Sequence, residues 1–306
     1  MSAVLRFGLL LAVAACALAQ RASPHDAGSL DLRVRSAIRD FHGKVYLYAK
    51  NLDTGRAYGL LQDDRVMTAS TVKLPIMAGV FAIVQASKAA WTEELTLTEE
   101  NRVSGSGVLS ELSNGVKLPL RDVLHLMIVV SDNTATNMIL DRFSTDAINI
   151  ELDKIGLRQT RSLRKIRGDG NDLKPPSGYS AAGKLPGNQR FGIGVTTPRE
   201  MADLLEKLER GEVVNASASK EMIAILLRQQ YREGIARRLG DDTPVASKSG
   251  ALDHLRSDVG IVYSKRGRIV MAITCAEIPA IDNSVDNPGV ALIARLAEIL
   301  IDGLGN

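Results

Sequence analysis

The sequence lacks an apolar run of the about 20 residues that a membrane-spanning helix needs. Its N-terminal stretch, "MSAVLRFGLLLAVAACALAQ", has one arginine, a short apolar core and small residues at Ala17 and Ala19. This pattern is typical of a cleaved secretory signal, so residues 1–19 are predicted as a signal peptide of a periplasmic or secreted protein. The alternative takes "VAAC" as a lipobox, in which Cys16 would be acylated and would anchor a lipoprotein to a membrane.

Cysteine and histidine are also scarce. Of the two cysteines, only Cys275 lies beyond the leader, which excludes an intramolecular disulfide and predicts a buried, inert thiol. The four histidines are scattered, and none has ligand spacing from a second histidine or cysteine. We therefore expect no metal site and no cofactor.

Neither charge nor aromatic content favours nucleic acid as a partner. Lys and Arg total 38 against 35 Asp and Glu, for a formal net charge of +3. Six Tyr, five Phe and one Trp form no interleaved aromatic and basic pattern that would stack bases. Hydrophobic residues make up 45% of the chain, which is enough for the sizeable core of an ordinary globular protein.

The distribution of periodic segments predicts an α+β fold. An amphipathic helix at about 29–41 precedes "KVYLYAKNLDTGRAYGLL", which has the pattern of a β-hairpin. The pattern from 70 to about 208 is mostly helical, with a Gly- and Pro-rich interruption from 167 to 194. Thr197–Glu200, "TPRE", reads as a capping box that starts a new helix. Near the C-terminus follow two strands and a closing amphipathic helix, "DVGIVYS", "RIVMAITC" and "GVALIARLAEILIDGL".

This order predicts an antiparallel sheet flanked by helices and built from both chain ends, with an all-helical lobe inserted between them. Residues 20–306 would form one catalytic domain. Its α/β lobe would comprise about 28–66 and 211–306, and its helical lobe about 67–210. A site is expected in the cleft between the lobes.

One lysine, Lys73, interrupts the apolar helical pattern of "TASTVKLPIMAGVFAIV". Ser70 precedes it by three residues, so the two side chains share a helix face. Burial favours the neutral amine of a lysine, which can accept the serine proton and make Ser70 nucleophilic. The alternative is a lysine that snorkels to the surface beside a capping serine. Two further Ser-x-x-Lys matches, which start at Ser162 and Ser217, are interpreted as accidental.

Two more short motifs follow in the chain: "SDN" at residues 131–133 and "KSG" at residues 248–250. Taken singly, the first could cap a helix and the second could form a surface turn. In company with Ser70 at the start of a core helix, they favour a nucleophilic-serine site.

With these motifs the chain resembles the class A β-lactamases and other penicillin-recognising serine hydrolases over nearly its whole mature length. "STVK", "VVSDNTATNMILDRF", "TTPREMADLL" and "SKSGALDHLRSDVGIVYSK" occur in the family's order. The resemblance implies a β-lactamase/transpeptidase-like fold and an acyl-enzyme mechanism. It also implies a monomer acting on a small β-lactam or a D-Ala-D-Ala peptide.

The resemblance further implies a role for each matching residue. Ser70 would be the acylated nucleophile, Lys73 its base, and Ser131 the group that passes a proton to the leaving nitrogen. The backbone amides of Ser70 and Ala251 would form the oxyanion hole. Arg256 is a candidate second contact to the substrate carboxylate, with an ordinary surface arginine as the alternative. The other implied substrate-binding residues are Asn133 for the side-chain amide, Lys248 and Ser249 for the carboxylate, and Gly250.

The chain departs from class A in the loop that follows Arg164. Class A enzymes carry there a glutamate that activates the deacylating water, and here Ile166 takes its place. Val195 stands where an aspartate usually pairs with the loop arginine. Asp169 and Asp172 are the acids inside the altered loop, and each is either a substitute base or a solvated turn residue.

A general base contributes about 10²–10⁴-fold to a rate, so its loss predicts slow hydrolysis of the acyl-enzyme. Three functions therefore stay open. The first is a β-lactamase, and the second is a penicillin-binding-type DD-peptidase or esterase. The third is a β-lactam sensor that stays acylated. This function is the least favoured, because a sensor normally needs a membrane-spanning segment and the sequence shows none.

Overall fold

The computed structural model describes residues 24–305, so the predicted signal peptide and the lipobox at Cys16 lie outside the described residues. Within residues 24–305, no helix has the length and apolar character to cross a membrane. The strands in this part of the chain are β1 (Lys44–Asn51), β2 (Ala57–Leu60), β3 (Val66–Met67), β4 (Glu94–Thr96), β5 (Lys117–Pro119), β6 (Arg161–Ser162), β7 (Gly194–Thr196), β8 (Val245–Leu252), β9 (Leu255–Ser264) and β10 (Gly267–Ala276).

A short 3₁₀ helix, Ala69–Val72, leads directly into α2. Two further 3₁₀ turns lie at Leu109–Glu111 and Gly170–Asp172. The α-helices are α1 (Pro24–Ile38), α2 (Lys73–Gln85), α3 (Leu120–Val129), α4 (Asn133–Phe143), α5 (Thr145–Ile155), α6 (Ala181–Lys184), α7 (Pro186–Gln189), α8 (Pro198–Glu209), α9 (Ala216–Leu226) and α10 (Pro288–Leu304).

The main sheet has five antiparallel strands in the order β2-β1-β10-β9-β8, so both ends of the chain build it. The predicted fold class is thereby confirmed. β1 and β2 form the predicted hairpin, and Gly55 in its Asp-Thr-Gly turn has a φ of +76°, which favours glycine. The strand β8 lies at one edge of the sheet, with the "KSG" motif inside it.

Alternation along the strands directs apolar side chains to both faces of the sheet. Met271 and Ile273 of β10 join one core with α1 and α10, whereas Val270 and Ala272 join the other core with the central helices. Cys275 is fully buried in the first core, where burial raises the pKa of its thiol, as the sequence predicted for an inert cysteine. α8 packs against β1 and β10 on the second face.

The middle of the chain differs from the predicted mostly helical pattern in one respect. A small sheet, β3-β7-β6, joins the segment before the nucleophile to both ends of the altered loop.

The Thr197 side chain caps α8 by accepting from the Glu200 N–H, as predicted. The Glu200 carboxylate, however, accepts the backbone N–H groups of residues 158–160 instead of completing the capping box, because that turn presents three unpaired donors.

Candidate active site

Ser70 lies in the 3₁₀ turn at the start of α2, where its side chain is partly buried and lines a cavity of about 360 Å³. Ala69, which precedes it, has a φ of +46°, and Ser131 has a φ of +54°. Such angles are strained for residues with a Cβ and persist where the surrounding structure holds them, which is common at functional sites. Ser70 and Ser131 line the same cavity.

Lys73 is fully buried, so the interpretation as a snorkelling lysine is wrong. Its ammonium donates to Ser131 O (2.6 Å), Ser131 Oγ (3.1 Å) and Asn133 Oδ1 (2.8 Å). Burial lowers the pKa of Lys73 well below its usual value, and the charge of Lys248 lowers it further. The neutral amine that a base requires is therefore favoured. None of its hydrogen bonds within residues 24–305 reaches Ser70 Oγ, and its role as the base of Ser70 stays a prediction.

Lys248 approaches the same serine from the sheet. It is fully buried on β8 and donates to Ser131 Oγ (3.0 Å) and to Ser249 O (2.7 Å). Burial lowers the pKa of Lys248 to about 7. The Ser131 hydroxyl thus lies between two buried amines, both with a lowered pKa, which suits a group that relays a proton.

The "SDN" motif has both a structural and a chemical part. Asp132 caps α4 by accepting from Ala135 N (2.8 Å), and its second oxygen accepts from Val108 N (2.7 Å) and Leu109 N (2.9 Å). These bonds attach the 103–109 loop to the start of α4. The capping interpretation is therefore correct for Asp132, while Ser131 and Asn133 bind the lysine.

The "KSG" motif forms part of β8, and its interpretation as a surface turn is wrong. A Cβ on Gly250 would lie 2.9 Å from Ser70 N, closer than side-chain carbons tolerate, and 3.0 Å from Thr68 O, which is also a tight contact. Glycine therefore lets β8 pack directly against the nucleophile turn. Ala251 follows at the cavity wall, as the predicted oxyanion hole with the Ser70 amide requires.

Arg256 is 5% exposed, so its interpretation as an ordinary surface arginine is wrong. Its guanidinium donates to Leu255 O (2.8 Å), to Asn283 Oδ1 (3.3 Å) and to the carbonyls of Leu252 and Asp282. Arg256 therefore ties the segment after β10 to the β8–β9 turn. It also lines the cavity, and its contact to a substrate carboxylate stays a prediction.

The altered loop is fixed at the position of the missing glutamate. Asn137 Nδ2 donates to Ile166 O, and Ile166 N donates to Asn137 Oδ1, both at 2.9 Å. Sequence reasoning missed Asn137, although it follows Asn133 by one turn of α4. Arg164 makes no ion pair with a carboxylate of the described residues, and burial lowers its pKa. Asp169 and Asp172 are exposed and do not line the cavity of Ser70.

A change of Lys248 to arginine is expected to alter how acylation depends on pH. The Lys248 cation attracts the carboxylate of an anionic substrate below its pKa of about 7, and this attraction is lost as the pH rises through that value. Arginine stays charged across this range. The alkaline decrease in the second-order rate constant for acylation should therefore disappear in Lys248→Arg. An identical decrease in both proteins would show that Lys248 does not cause it.

Comparisons with known proteins agree with this geometry. The family model of the β-lactamase enzyme family matches residues 29–304. A β-lactamase structure from Sphaerobacter thermophilus is 28% identical with a TM-score of 0.76, and the match covers 90% of this chain and 97% of that one. The structure of PBP-A has a TM-score of 0.75 at 24% identity, over 90% and 95% of the two chains.

Among characterised sequences, the β-lactamase AER-1 of Aeromonas hydrophila is 24% identical over 275 residues, which are 87% of this chain and 86% of that protein. The match of the family model extends from α1 to the end of α10 and includes all the motifs that converge on Ser70. The resemblance inferred from those motifs is confirmed, and the chain belongs to the β-lactamase enzyme family.

Proposed function

We propose that the protein is a class A-like serine β-lactamase that forms an acyl-enzyme on Ser70 and hydrolyses it slowly. The observation that carries this proposal is the position of the Ser131 hydroxyl, which accepts hydrogen bonds from both Lys73 and Lys248 beside the nucleophile. That arrangement provides the proton path that opening a β-lactam amide requires. Ile166 at the loop position of the deacylating glutamate supports the slow second step.

Acylation would use three residues that line the cavity, Ser70, Ser131 and Ala251, together with the buried Lys73, which bonds to Ser131. The neutral Lys73 amine takes the proton of Ser70, directly or through Ser131, and Ser70 Oγ attacks the carbonyl carbon of the lactam. The N–H groups of Ser70 and Ala251 stabilise the negative oxygen of the tetrahedral intermediate. When this intermediate collapses, the C–N bond breaks, Ser131 gives its proton to the leaving nitrogen, and Lys73 returns a proton to Ser131.

Deacylation needs a water molecule that attacks the ester carbonyl and loses a proton. The Ile166 side chain has no group that accepts a proton. Asp169 and Asp172 are exposed and outside the cavity wall. We assign the role of the base to Lys73, which bonds to Ser131 and has returned its proton to Ser131 once acylation is complete.

The test combines turnover with mass measurement. Purified mature protein is mixed with a chromogenic cephalosporin, and both the hydrolysed product and the protein mass are followed over time. We expect slow but continuing turnover and a transient adduct on Ser70, and Ser70→Ala should show neither signal. Turnover that persists in Ser70→Ala would refute the site, and absence of both adduct and turnover in the unaltered protein would refute the proposed function.

A penicillin-binding-type DD-peptidase or esterase is the second candidate, and Ile166 is the observation that favours it. Such an enzyme needs the same acylation apparatus but not rapid hydrolysis of a β-lactam ester. A stoichiometric burst with a stable adduct, together with cleavage of a D-Ala-D-Ala peptide or a simple ester, would support this candidate. A stable adduct without either cleavage would instead support a sensor.

We also propose that the protein acts after export, as a free periplasmic or secreted monomer. The support is the predicted signal peptide, residues 1–19, and the alternative is a lipoprotein acylated at Cys16. The mass of the mature protein separates the two, because cleavage after residue 19 removes Cys16 whereas a lipoprotein retains it as its acylated first residue.

A further inference from the structure

The cavity that contains Ser70 continues past Ser249, the residue proposed to bind the substrate carboxylate. Its further wall is formed by the segment 231–234, by Ser257 and Asp258 of β9, and by residues of the segment 283–293. If the substrate is oriented by Asn133 at one end and by Ser249 at the other, this part of the cavity faces whatever the substrate carries beside its carboxylate.

Two acids line this part of the cavity. Glu233 is partly buried, and within residues 24–305 no hydrogen bond or ion pair reaches its carboxylate. Asp258 lies opposite Ser249 in the pairing of β8 with β9 and is 2% exposed. Its Oδ2 accepts from Ile235 N (2.8 Å), but its Oδ1 has no hydrogen-bond partner among the described residues.

The two acids are neighbours. A Cβ on Gly234 would lie 2.3 Å from Asp258 Oδ2, so the backbone beside Glu233 rests directly on the Asp258 carboxylate. A buried carboxylate oxygen without a hydrogen-bond partner is costly even where a charge such as that of Lys248 is near, and each unpaired buried polar atom calls for an explanation. Arg256 also lines the cavity, yet both terminal nitrogens of its guanidinium already bond to protein acceptors.

We propose that Glu233 and Asp258 form a cation-accepting subsite, which takes an ammonium, pyridinium or similar cationic group attached beside the carboxylate of the substrate. This inference rests on the proposed function, because the substrate carboxylate at Ser249 places the cationic group. The subsite determines which substrates are preferred and takes no part in the chemical step.

The test compares two cephalosporins with the same acyl side chain. They differ at the methylene attached to the ring carbon next to the one that bears the carboxylate, where one carries a pyridinium and the other a neutral acetoxy group. The measured quantity is the ratio of their second-order rate constants for acylation of Ser70. Glu233→Gln should lower the ratio of cationic to neutral substrate by about fivefold, the range of a partly exposed charge pair. The matched control is Glu212→Gln, an exposed acid outside the cavity, which should leave the ratio unchanged.

The pH dependence of the same ratio tests Asp258. Burial raises the pKa of Asp258 to about 7, so its negative charge develops as the pH rises through that value. The titratable groups around it are Glu233, Lys248 on β8 and Arg256 on its own strand, and the first turn of α10 has no acid and no charged base. The loss of the Lys248 cation over the same pH range also favours the cationic substrate, so the contribution of Asp258 is read from the difference between the unaltered protein and Asp258→Asn. The ratio should increase more steeply with pH in the unaltered protein than in Asp258→Asn.

A ratio that does not change in Glu233→Gln overturns the subsite, and this variant decides the question if Asp258→Asn does not fold. Equal losses for both substrates overturn it as well, because they would indicate a general effect on the cavity. If neither substrate acylates Ser70, the proposed function fails and the subsite fails with it. If both acylate Ser70 and the ratio is constant, only the subsite fails.

Discussion

Ile166→Glu is expected to accelerate hydrolysis of the acyl-enzyme by about 10²-fold or more, because a positioned general base contributes about 10²–10⁴-fold. The two hydrogen bonds to Asn137 hold the backbone of residue 166 against α4, so the new carboxylate starts from a fixed position. The rate is measured by forming the acyl-enzyme with excess penicillin, removing free ligand and following the loss of the adduct mass.

The matched control is Ile166→Gln, which has nearly the same shape as the glutamate variant but no basic carboxylate. It should deacylate as slowly as the unaltered protein. Equal acceleration in both variants would mean that a polar side chain merely admits water. An unchanged rate in Ile166→Glu, in a protein whose melting temperature is preserved, would contradict the assignment of residue 166 to the position of the missing base.

Lys73→Ala is expected to slow acylation of Ser70 by about 10²–10⁴-fold, the contribution of a general base. The variant also removes three hydrogen bonds to Ser131 and Asn133, so part of the loss would come from their displacement. Stopped-flow measurement of adduct formation gives the rate constant for acylation, and single-turnover decay of the adduct gives that for deacylation.

Lys73→Arg separates the base from the charge. Arginine provides hydrogen-bond donors near Ser131, but it does not deprotonate in proteins and cannot act as a base. Acylation should therefore be slow in both variants, and rapid acylation by Lys73→Arg would contradict the role of Lys73 as the base. If deacylation is also slowed in Lys73→Ala, Lys73 assists the second step, whereas unchanged deacylation limits it to the first.

The sequence was sufficient to predict those parts of the site that depend on local pattern. Ser70 and Lys73 share the start of a helix. "KSG" and "SDN" are short motifs that predict a nucleophilic-serine site when they occur together with that helix start. The main sheet followed from alternating apolar strands at both ends of the chain. In each case the signal lies within a few neighbouring residues, so period and spacing are enough to predict it.

Other parts of the site depend on contacts between distant segments. The partners of Arg256 include Asp282 and Asn283, which no spacing rule connects to it. The Glu200 carboxylate accepts hydrogen bonds from the backbone of a turn about forty residues earlier in the chain, and not from the start of its own helix. Likewise, Glu233 meets Asp258 only because the segment before β8 folds back over β9. A single sequence carries no local signal for such pairings.

The small sheet β3-β7-β6 has a consequence for how the protein tolerates changes in loop length. β6 and β7 bracket residues 163–193, and Leu163 N also donates to Ile193 O (2.9 Å), so the two ends of this segment are clamped together. Once the ends are fixed, doubling the number of residues between them costs only about 0.6 kcal/mol of loop-closure entropy. Insertions at the exposed positions 175–179 of this segment can therefore accumulate at little cost in stability, while Ser70, held through β3 on the other side of β7, keeps its position.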